Sequence, residues 1–331
     1  MKRSRLTICL VLLLCASALV RADEAERILR EVGAKGGLVV HLGCGEGGLT
    51  ADLRLNERYV VQGLDTDPSD IAAARQSLQE KGLYGPVSVL HYDGTSLPYA
   101  DNLVDLFVVS EAGAVSREEM ERVIAPGGVL WRDGRRFVKP WPREISEWTH
   151  SWGDATCNPV ARDTRVAPPR YLQWIAAPLW PRCHDWTPSI SSMVSTEGRV
   201  FSIQDLSPSG LGGDIQNQFY LIARDAFNGI LLWKRKVPGW DSRVLSGSDG
   251  HRAGGRWGFP PHISKRLVAA GDRVYVTLGL LEPVTVLDAA TGGEVRRLRG
   301  TERTDEILFD RGLLYLSRNL NPPDGDNPRH K

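Results

Sequence analysis

VVHLGCGEGG, residues 39–48, is an apolar strand-like run that passes directly into a glycine-rich turn. Glycine has no Cβ, so such a turn lets the backbone approach a ligand closely. A second apolar run, residues 59–64, ends in Asp65, twenty residues after Gly45. A carboxylate at the end of that strand can bond to a ribose diol. The spacing therefore predicts a site for an adenosine-containing cofactor.

The residues around this stretch predict an α/β Rossmann-like domain with a parallel sheet. Apolar strands that alternate with helices form such sheets, which are covered on both faces and bind ligands beyond the carboxyl ends of their strands. Glu111 joins Asp65, Asp93 and the glycine turn at these predicted ends. Helices are predicted over 24–32, 49–55, 69–81 and 117–124, the last stopped by Pro126-Gly127-Gly128, and strands over 38–42, 59–64, 87–91, 104–110 and from 129.

Two cofactors are compatible with the turn when it is considered alone. Gly43, Gly45 and Gly48 satisfy the dinucleotide pattern G-x-G-x-x-G, and Asp65 lies at a suitable distance. That match leaves a nicotinamide-dependent oxidoreductase open as a third alternative.

Four segments in order favour the other cofactor: HLGCGEGG (41–48), GLDTDPSDIAAAR (63–75), HYDGTSLPYADNLVDLFVVSE (91–111) and EEMERVIAPGGVLW (118–131). Together they resemble the class I S-adenosylmethionine-dependent methyltransferases. The resemblance implies that Gly43, Gly45 and Gly47 surround the methionine part of S-adenosyl-L-methionine and that Asp65 binds the ribose. Asp93 with Gly94 would meet the adenine, and Glu111 would lie on the substrate side as the candidate catalytic residue.

Two features depart from that family. His41 stands two residues before the first glycine, where the family usually has an acidic residue. About ten residues follow Trp131 before the composition changes, so the sheet is predicted to be truncated at one edge. Both departures are compatible with a catalytically degenerate domain.

The N-terminus has the pattern of an export signal. Three basic residues precede an apolar stretch over 6–20, and Val20-Arg21-Ala22 offers a cleavage site after Ala22. The chain is therefore predicted to be exported to the periplasm or the extracellular space, with an uncleaved membrane anchor as the alternative. The formal charge is +1, and the signal holds four basic residues and no acid, so the mature chain carries −3. This near-neutral balance argues against nucleic-acid binding.

Three cysteines remain after cleavage. Cys157 and Cys183 could form a disulfide in an oxidising compartment, whereas Cys44 lies in the glycine turn. No metal-ligand spacing is found, because the three neighbours Cys183-His184-Asp185 cannot all face one ion on a strand.

The second half contains repeated strand motifs. The stretch 198–202 parallels 271–276 and 311–316, and 223–233 parallels 286–292. These motifs resemble the quinoprotein-like (PQQ-like) β-propellers, whose blades carry A-x-D-x-x-T-G-x-x-x-W. The resemblance implies an incomplete all-β propeller with structural Asp, Gly and Trp residues, and Arg296 replaces the second tryptophan. Bound quinone is not expected, because adjacent cysteines are missing.

The predicted organisation is a signal peptide (1–22), a methyltransferase-like domain (23–140), a Trp- and Pro-rich linker (141–187) and a partial propeller (188–331). The first functional hypothesis is an exported S-adenosylmethionine-binding methyltransferase with an unknown acceptor. The alternative is a degenerate exported scaffold whose repeats bind protein or carbohydrate, with a partner covering the open propeller edges.

Overall fold

The computed structural model describes residues 23–165, 172–178, 189–207, 218–240 and 263–320. The chain divides into two compact units, residues 1–141 and 142–331. The predicted export signal and Cys183 lie outside the described residues. In the part of the chain that is described, no helix has the length and apolar character needed to cross a membrane.

The N-terminal unit is built on a six-stranded sheet in the order β3-β2-β1-β4-β5-β6. The first five strands are parallel, and β6 pairs with β5 in the antiparallel sense. This confirms the predicted Rossmann-like sheet. The strands are β1 (Gly37–Leu42), β2 (Tyr59–Asp65), β3 (Val87–His91), β4 (Val104–Val109), β5 (Ile124–Arg132) and β6 (Arg135–Val138); the helices are α1 (23–32), α2 (Gly48–Asp52), α3 (Pro68–Glu80) and α4 (Arg117–Val123).

Alternation along the strands supplies both faces of this sheet. Val39 and Val61 belong to a buried cluster that includes residues of α1 and α3, whereas Val40 and Leu64 belong to a second cluster with residues of α4. Successive side chains on a strand point to opposite faces, which explains why neighbours in β1 enter different clusters. Because these strands are parallel, the carboxyl ends of β1, β2, β3 and β4 lie along one rim.

The prediction that Pro126-Gly127-Gly128 forms a turn that stops the last helix was wrong. Helix α4 ends at Val123, and β5 begins at Ile124 and runs through all three residues. The pairing of β4 with β5 is irregular here, because Val104 pairs with Ile124 and Leu106 with Val129. The proline therefore lies in a bulged strand, one of the few places in a sheet where it is tolerated. Helix α2 is also shorter than predicted.

The C-terminal unit is all-β in its described elements, apart from one short 3-10 turn, Ile263–Arg266. Two four-stranded antiparallel sheets have the orders β10-β9-β8-β7 and β11-β12-β13-β14, and a third sheet has two strands. In the described residues these sheets do not close into a ring. The strands are β7 (Ile190–Thr196), β8 (Arg199–Asp205), β9 (Phe219–Asp225), β10 (Leu231–Lys236), β11 (Leu267–Ala270), β12 (Arg273–Thr277), β13 (Val284–Asp288), β14 (Glu294–Arg297), β15 (Thr304–Asp310) and β16 (Leu313–Arg318).

Two tryptophans make the same contact with two equivalent turns of this unit. The indole N–H of Trp174 donates to the carbonyl of Ala226 at 3.0 Å, and that of Trp233 donates to the carbonyl of Ala289 at 2.9 Å. Both turns follow the repeated aspartate identified in the sequence, and each aspartate accepts hydrogen bonds within its turn. The repeat in the sequence is therefore a repeat of a packing contact.

Candidate functional site

The turn after β1 contains three glycines in the left-handed region. The φ angles of Gly43, Gly45 and Gly47 are 72°, 50° and 78°. A Cβ on Gly43 would lie 2.6 Å from the backbone N of Glu111, and one on Gly47 would lie 2.9 Å from Cβ of Ala74. No atom lies within 4 Å of the corresponding position on Gly45. Gly45 therefore borders open space at the rim of the sheet.

Asp65, at the end of β2, is tied to this turn. Its Oδ2 accepts a hydrogen bond from the backbone N–H of Gly45 at 2.8 Å, and its Oδ1 accepts from the N–H groups of Thr66 and Asp67 at 2.8 and 3.1 Å. The N-cap of α3 is Asp67, whose carboxylate accepts from the N–H of Ser69. A carboxylate has about four acceptor positions. Three bonds leave one of them for a ligand hydroxyl.

Asp93 lies in the loop after β3 and stabilises that loop. Its Oδ1 accepts from the N–H and hydroxyl of Thr95, at 2.8 and 3.0 Å, and from the N–H of Ser96 at 2.8 Å. These hydrogen bonds, the one from Ser96 foremost, lower the pKa of Asp93. A Cβ on Gly94 would lie 3.2 Å from Cγ2 of Thr66. The loops after β2 and β3 are therefore direct neighbours.

Glu111 reaches the same rim from β4. The backbone N–H groups of Ser110 and Glu111 donate to the carbonyl of Leu42 at 3.0 and 3.3 Å, which places the exposed Glu111 beside the first glycine of the turn. The structure thus places the glycine turn, Asp65, Asp93 and Glu111 on one rim.

Tyr92 is a rim residue that the sequence analysis missed. Burial raises the pKa of its phenol, and the negative charges of Asp65, Asp93 and Glu111 raise this pKa further. The backbone N–H of Tyr92 also donates to the carbonyl of Asp65 at 3.1 Å. Its position directly before Asp93 was the available signal.

His41 is buried under the glycine turn rather than facing the rim. Its side chain is 2% exposed, and its ring nitrogens lie 2.8 Å from the hydroxyls of Thr50 in α2 and Ser110 after β4. Burial lowers its pKa from 6.5 to about 4, against the opposing effect of the Asp65 charge. A neutral imidazole therefore connects α2 with the segment that carries Glu111.

Cys44 packs inside the turn. It is buried, and a Cβ on Gly63 would lie 2.9 Å from its sulfur. Burial, with the Asp65 charge, raises the pKa of this thiol to about 12, so it stays protonated. Cys157 is a free cysteine, and its predicted partner Cys183 lies outside the described residues. Among the residues that are described, no group of three or more His, Cys, Asp or Glu could hold a metal ion.

Residues 39–128 match the family model described as the methyltransferase domain. This span contains the glycine turn and the three carboxylates of the rim. The match identifies this part of the chain as a methyltransferase domain. The search of curated proteins gave no match.

Three solved structures illustrate the likeness. A proposed S-adenosyl-L-methionine-dependent methyltransferase from Methanococcus maripaludis is 23% identical over 34% of this chain and 54% of that chain, with a TM-score of 0.32. An S-adenosylmethionine-dependent methyltransferase from Aquifex aeolicus is 27% identical over 37% of this chain and 71% of that chain, with a TM-score of 0.29. Geranyl diphosphate methyltransferase in complex with S-adenosylmethionine is 19% identical over 33% of this chain and 47% of that chain, with a TM-score of 0.30. The chain thus spans about half the length of the first and third of these structures.

Proposed function

We propose that the N-terminal unit binds S-adenosyl-L-methionine and transfers its methyl group to an acceptor of unknown class. The observation that carries the proposal is the hydrogen bond from Gly45 to Asp65. It holds a glycine that borders open space beside a carboxylate with one acceptor position to spare. The match of residues 39–128 to the methyltransferase domain supports the same conclusion.

For methyl transfer, the protein needs mainly to bind and align the cofactor and the acceptor. When bound, the cofactor supplies a methyl group activated by a positive sulfur. Asp65 would accept from the ribose, Asp93 with Gly94 would border the adenine, and the glycine turn would admit the methionine part. Glu111 would orient an acceptor. Such alignment is positioning catalysis and requires no covalent protein intermediate.

Isothermal titration of the full chain with S-adenosyl-L-methionine and with NAD tests the proposal. We expect binding of the first only, weakened about 5- to 150-fold by Asp65→Asn, because a charge-assisted hydrogen bond is worth about 1–3 kcal/mol. Glu57→Gln is the matched control, since it also removes one negative charge and Glu57 is an exposed acid before the amino end of β2. Binding of NAD alone would favour the oxidoreductase, and binding of neither would overturn the proposal.

We also propose that the chain is exported and cleaved after Ala22. The support is the basic start and the apolar stretch over 6–20. In the same way we propose the division into a methyltransferase-like domain (23–140), a linker (141–187) and blades of an incomplete propeller (188–331). The equivalent contacts of Trp174 and Trp233 support the propeller, because each joins a tryptophan to an equivalent turn.

The second candidate function is that of a degenerate scaffold. The observation that favours it is His41, a buried neutral side chain at the position where the resembled family has an acid. In this case the sheets of the C-terminal unit would bind protein or carbohydrate, with a partner covering their open edges. A full chain that binds neither cofactor in the titration above would support this candidate.

A further inference from the structure

Three strands of the C-terminal unit occupy equivalent inner positions. Strands β7, β11 and β15 are each the first strand of their sheet, and β11 packs against both of the others. The repeated motifs align Arg199 with Arg273 and Leu313. Four residues before each of these positions lies an inner-strand residue: Ser195, Ala269 and Phe309.

The backbone N–H groups of these three equivalent residues donate to three consecutive residues of one segment. Ser195 donates to the carbonyl of Trp148 at 2.7 Å, and Ala269 donates to the carbonyl of Thr149 at 3.0 Å. Phe309 donates to Nε2 of His150 at 3.0 Å. The segment 148–150 therefore crosses the inner edges of all three sheets, with one residue for each sheet.

Glu147 strengthens the attachment at the first sheet. Its carboxylate accepts from the hydroxyl of Thr196 at 3.0 Å and from the N–H of Glu197 at 2.6 Å. The hydroxyl of Thr196 in turn accepts from the N–H of Gly271 at 3.1 Å, which links the first sheet to the second.

We propose that residues 147–150 form an axial strap that holds the three sheets together where, among the described residues, no ring closes them, and that protonation of His150 releases the third sheet. Nε2 of His150 accepts a hydrogen bond, so the proton of the neutral ring lies on Nδ1, 2.8 Å from the hydroxyl of Thr149. A second proton on Nε2 would face the N–H of Phe309. An acceptor would become a donor, and the attachment would be lost.

The surroundings of His150 set the direction of the pH dependence. Its side chain is 4% exposed, and burial lowers its pKa, against the opposing charges of Asp154 and Asp310. The depression that it lines also holds Cys157 and the ion pair of Lys265 with Glu306 at 2.8 Å. Because the pKa of the folded state is lowered, the strap is intact above about pH 6.5 and weakens as the pH falls below that value.

Hydrogen exchange of the full chain, followed by mass spectrometry between pH 7.5 and 4.5, tests the strap. We compare protection factors, corrected for intrinsic exchange, in peptides covering 304–310, 267–270 and 190–196. Acid should reduce protection at 304–310 about tenfold more than in the other two, the effect of losing one hydrogen bond of about 1.4 kcal/mol. His150→Gln should abolish this selective loss, because its amide oxygen accepts a hydrogen bond and does not titrate.

His91→Gln is the control, since it removes an exposed imidazole of the N-terminal unit. It should leave the selective loss at 304–310 intact. His150→Ala should show the loss at every pH. If that variant does not fold, the comparison of the wild-type chain with His150→Gln still decides. Equal acid loss in those two proteins, or uniform loss across the three sheets, would overturn the proposal.

Discussion

Left-handed glycines occur in both halves of the molecule, and they differ in what occupies the space beside them. A Cβ on Gly229 would lie 2.5 Å from the ring of Trp174, and one on Gly292 would lie 2.6 Å from the ring of Trp233. The corresponding position on Gly45 has no neighbour within 4 Å. Gly229 and Gly292 make room for the protein's own indole rings, whereas Gly45 leaves room for something else.

The comparison shows that one backbone signal has two meanings. All three glycines have φ between 50° and 73°, so conformation alone does not separate them. The neighbour does. A glycine covered by an indole contributes to stability, whereas one at an open rim is available to a ligand.

The largest effect should follow from removing an indole. Trp233→Ala deletes a buried ring and its hydrogen bond to Ala289, and we expect a loss of about 3–5 kcal/mol in the free energy of unfolding. Urea unfolding of the full chain, followed by far-ultraviolet circular dichroism, measures it. Trp152→Ala, at a residue that is 46% exposed, is the control and should cost much less. Equal losses in the two variants would contradict the packing role assigned to Trp233.

Acid should loosen the turn of the N-terminal unit, which hydrogen bonds of His41 support from below. Its pKa of about 4 in the folded state lies below the usual 6.5, so stabilisation is complete above pH 6.5 and is lost as the pH falls towards 4. The full effect is about 3 kcal/mol. Hydrogen exchange of peptides covering 37–52 measures it. His41→Gln should flatten the dependence, and an unchanged profile in that variant would contradict this account.

A matched pair of glycines separates collision from backbone strain. Gly292 and Gly300 have φ of 70° and 80°, but only Gly292 has a ring beside it. We expect Gly300→Ala to cost about 1 kcal/mol and Gly292→Ala about 2–3 kcal/mol, because overpacking adds to strain. Urea denaturation gives both values. Equal costs would show that Trp233 moves aside freely.

Gly45→Ala should cost as little stability as Gly300→Ala, about 1 kcal/mol, because its φ is positive but its new methyl group meets no atom. Its effect on binding should be larger, because the new methyl group enters the open space. We expect affinity for S-adenosyl-L-methionine to fall at least about tenfold, or 1.4 kcal/mol, by calorimetric titration. Gly33→Ala is the control, with φ of 73° and the same open surroundings, because Gly33 lies between α1 and the amino end of β1. Unchanged affinity in Gly45→Ala would show that the open space beside Gly45 is not part of the cofactor site.

The sequence predicted the parallel sheet well because apolar runs and their spacing reflect burial directly. The positions of β1 and β2 follow from local chemistry alone. Pro126-Gly127-Gly128 did not follow, because a bulge in β5 depends on the partner strand β4 and has the same composition as a turn.

The candidate site shows the same division. Asp65, Asp93 and Glu111 were predicted to share a rim because carboxyl ends of parallel strands meet there. Tyr92 was missed, since an aromatic residue after a strand usually signals core. The hydrogen bond from Phe309 to His150 was also missed, because it joins residues 159 positions apart in the chain.

The strap has a consequence for which changes of length the chain tolerates. Trp148, Thr149 and His150 each serve one sheet, so inserting or deleting a single residue among them would move every later residue to the wrong sheet. Trp148 and Thr149 bind their sheets through backbone carbonyls, so substitutions of their side chains would be accommodated far more readily. Natural variation here should therefore change side chains while conserving the number of residues.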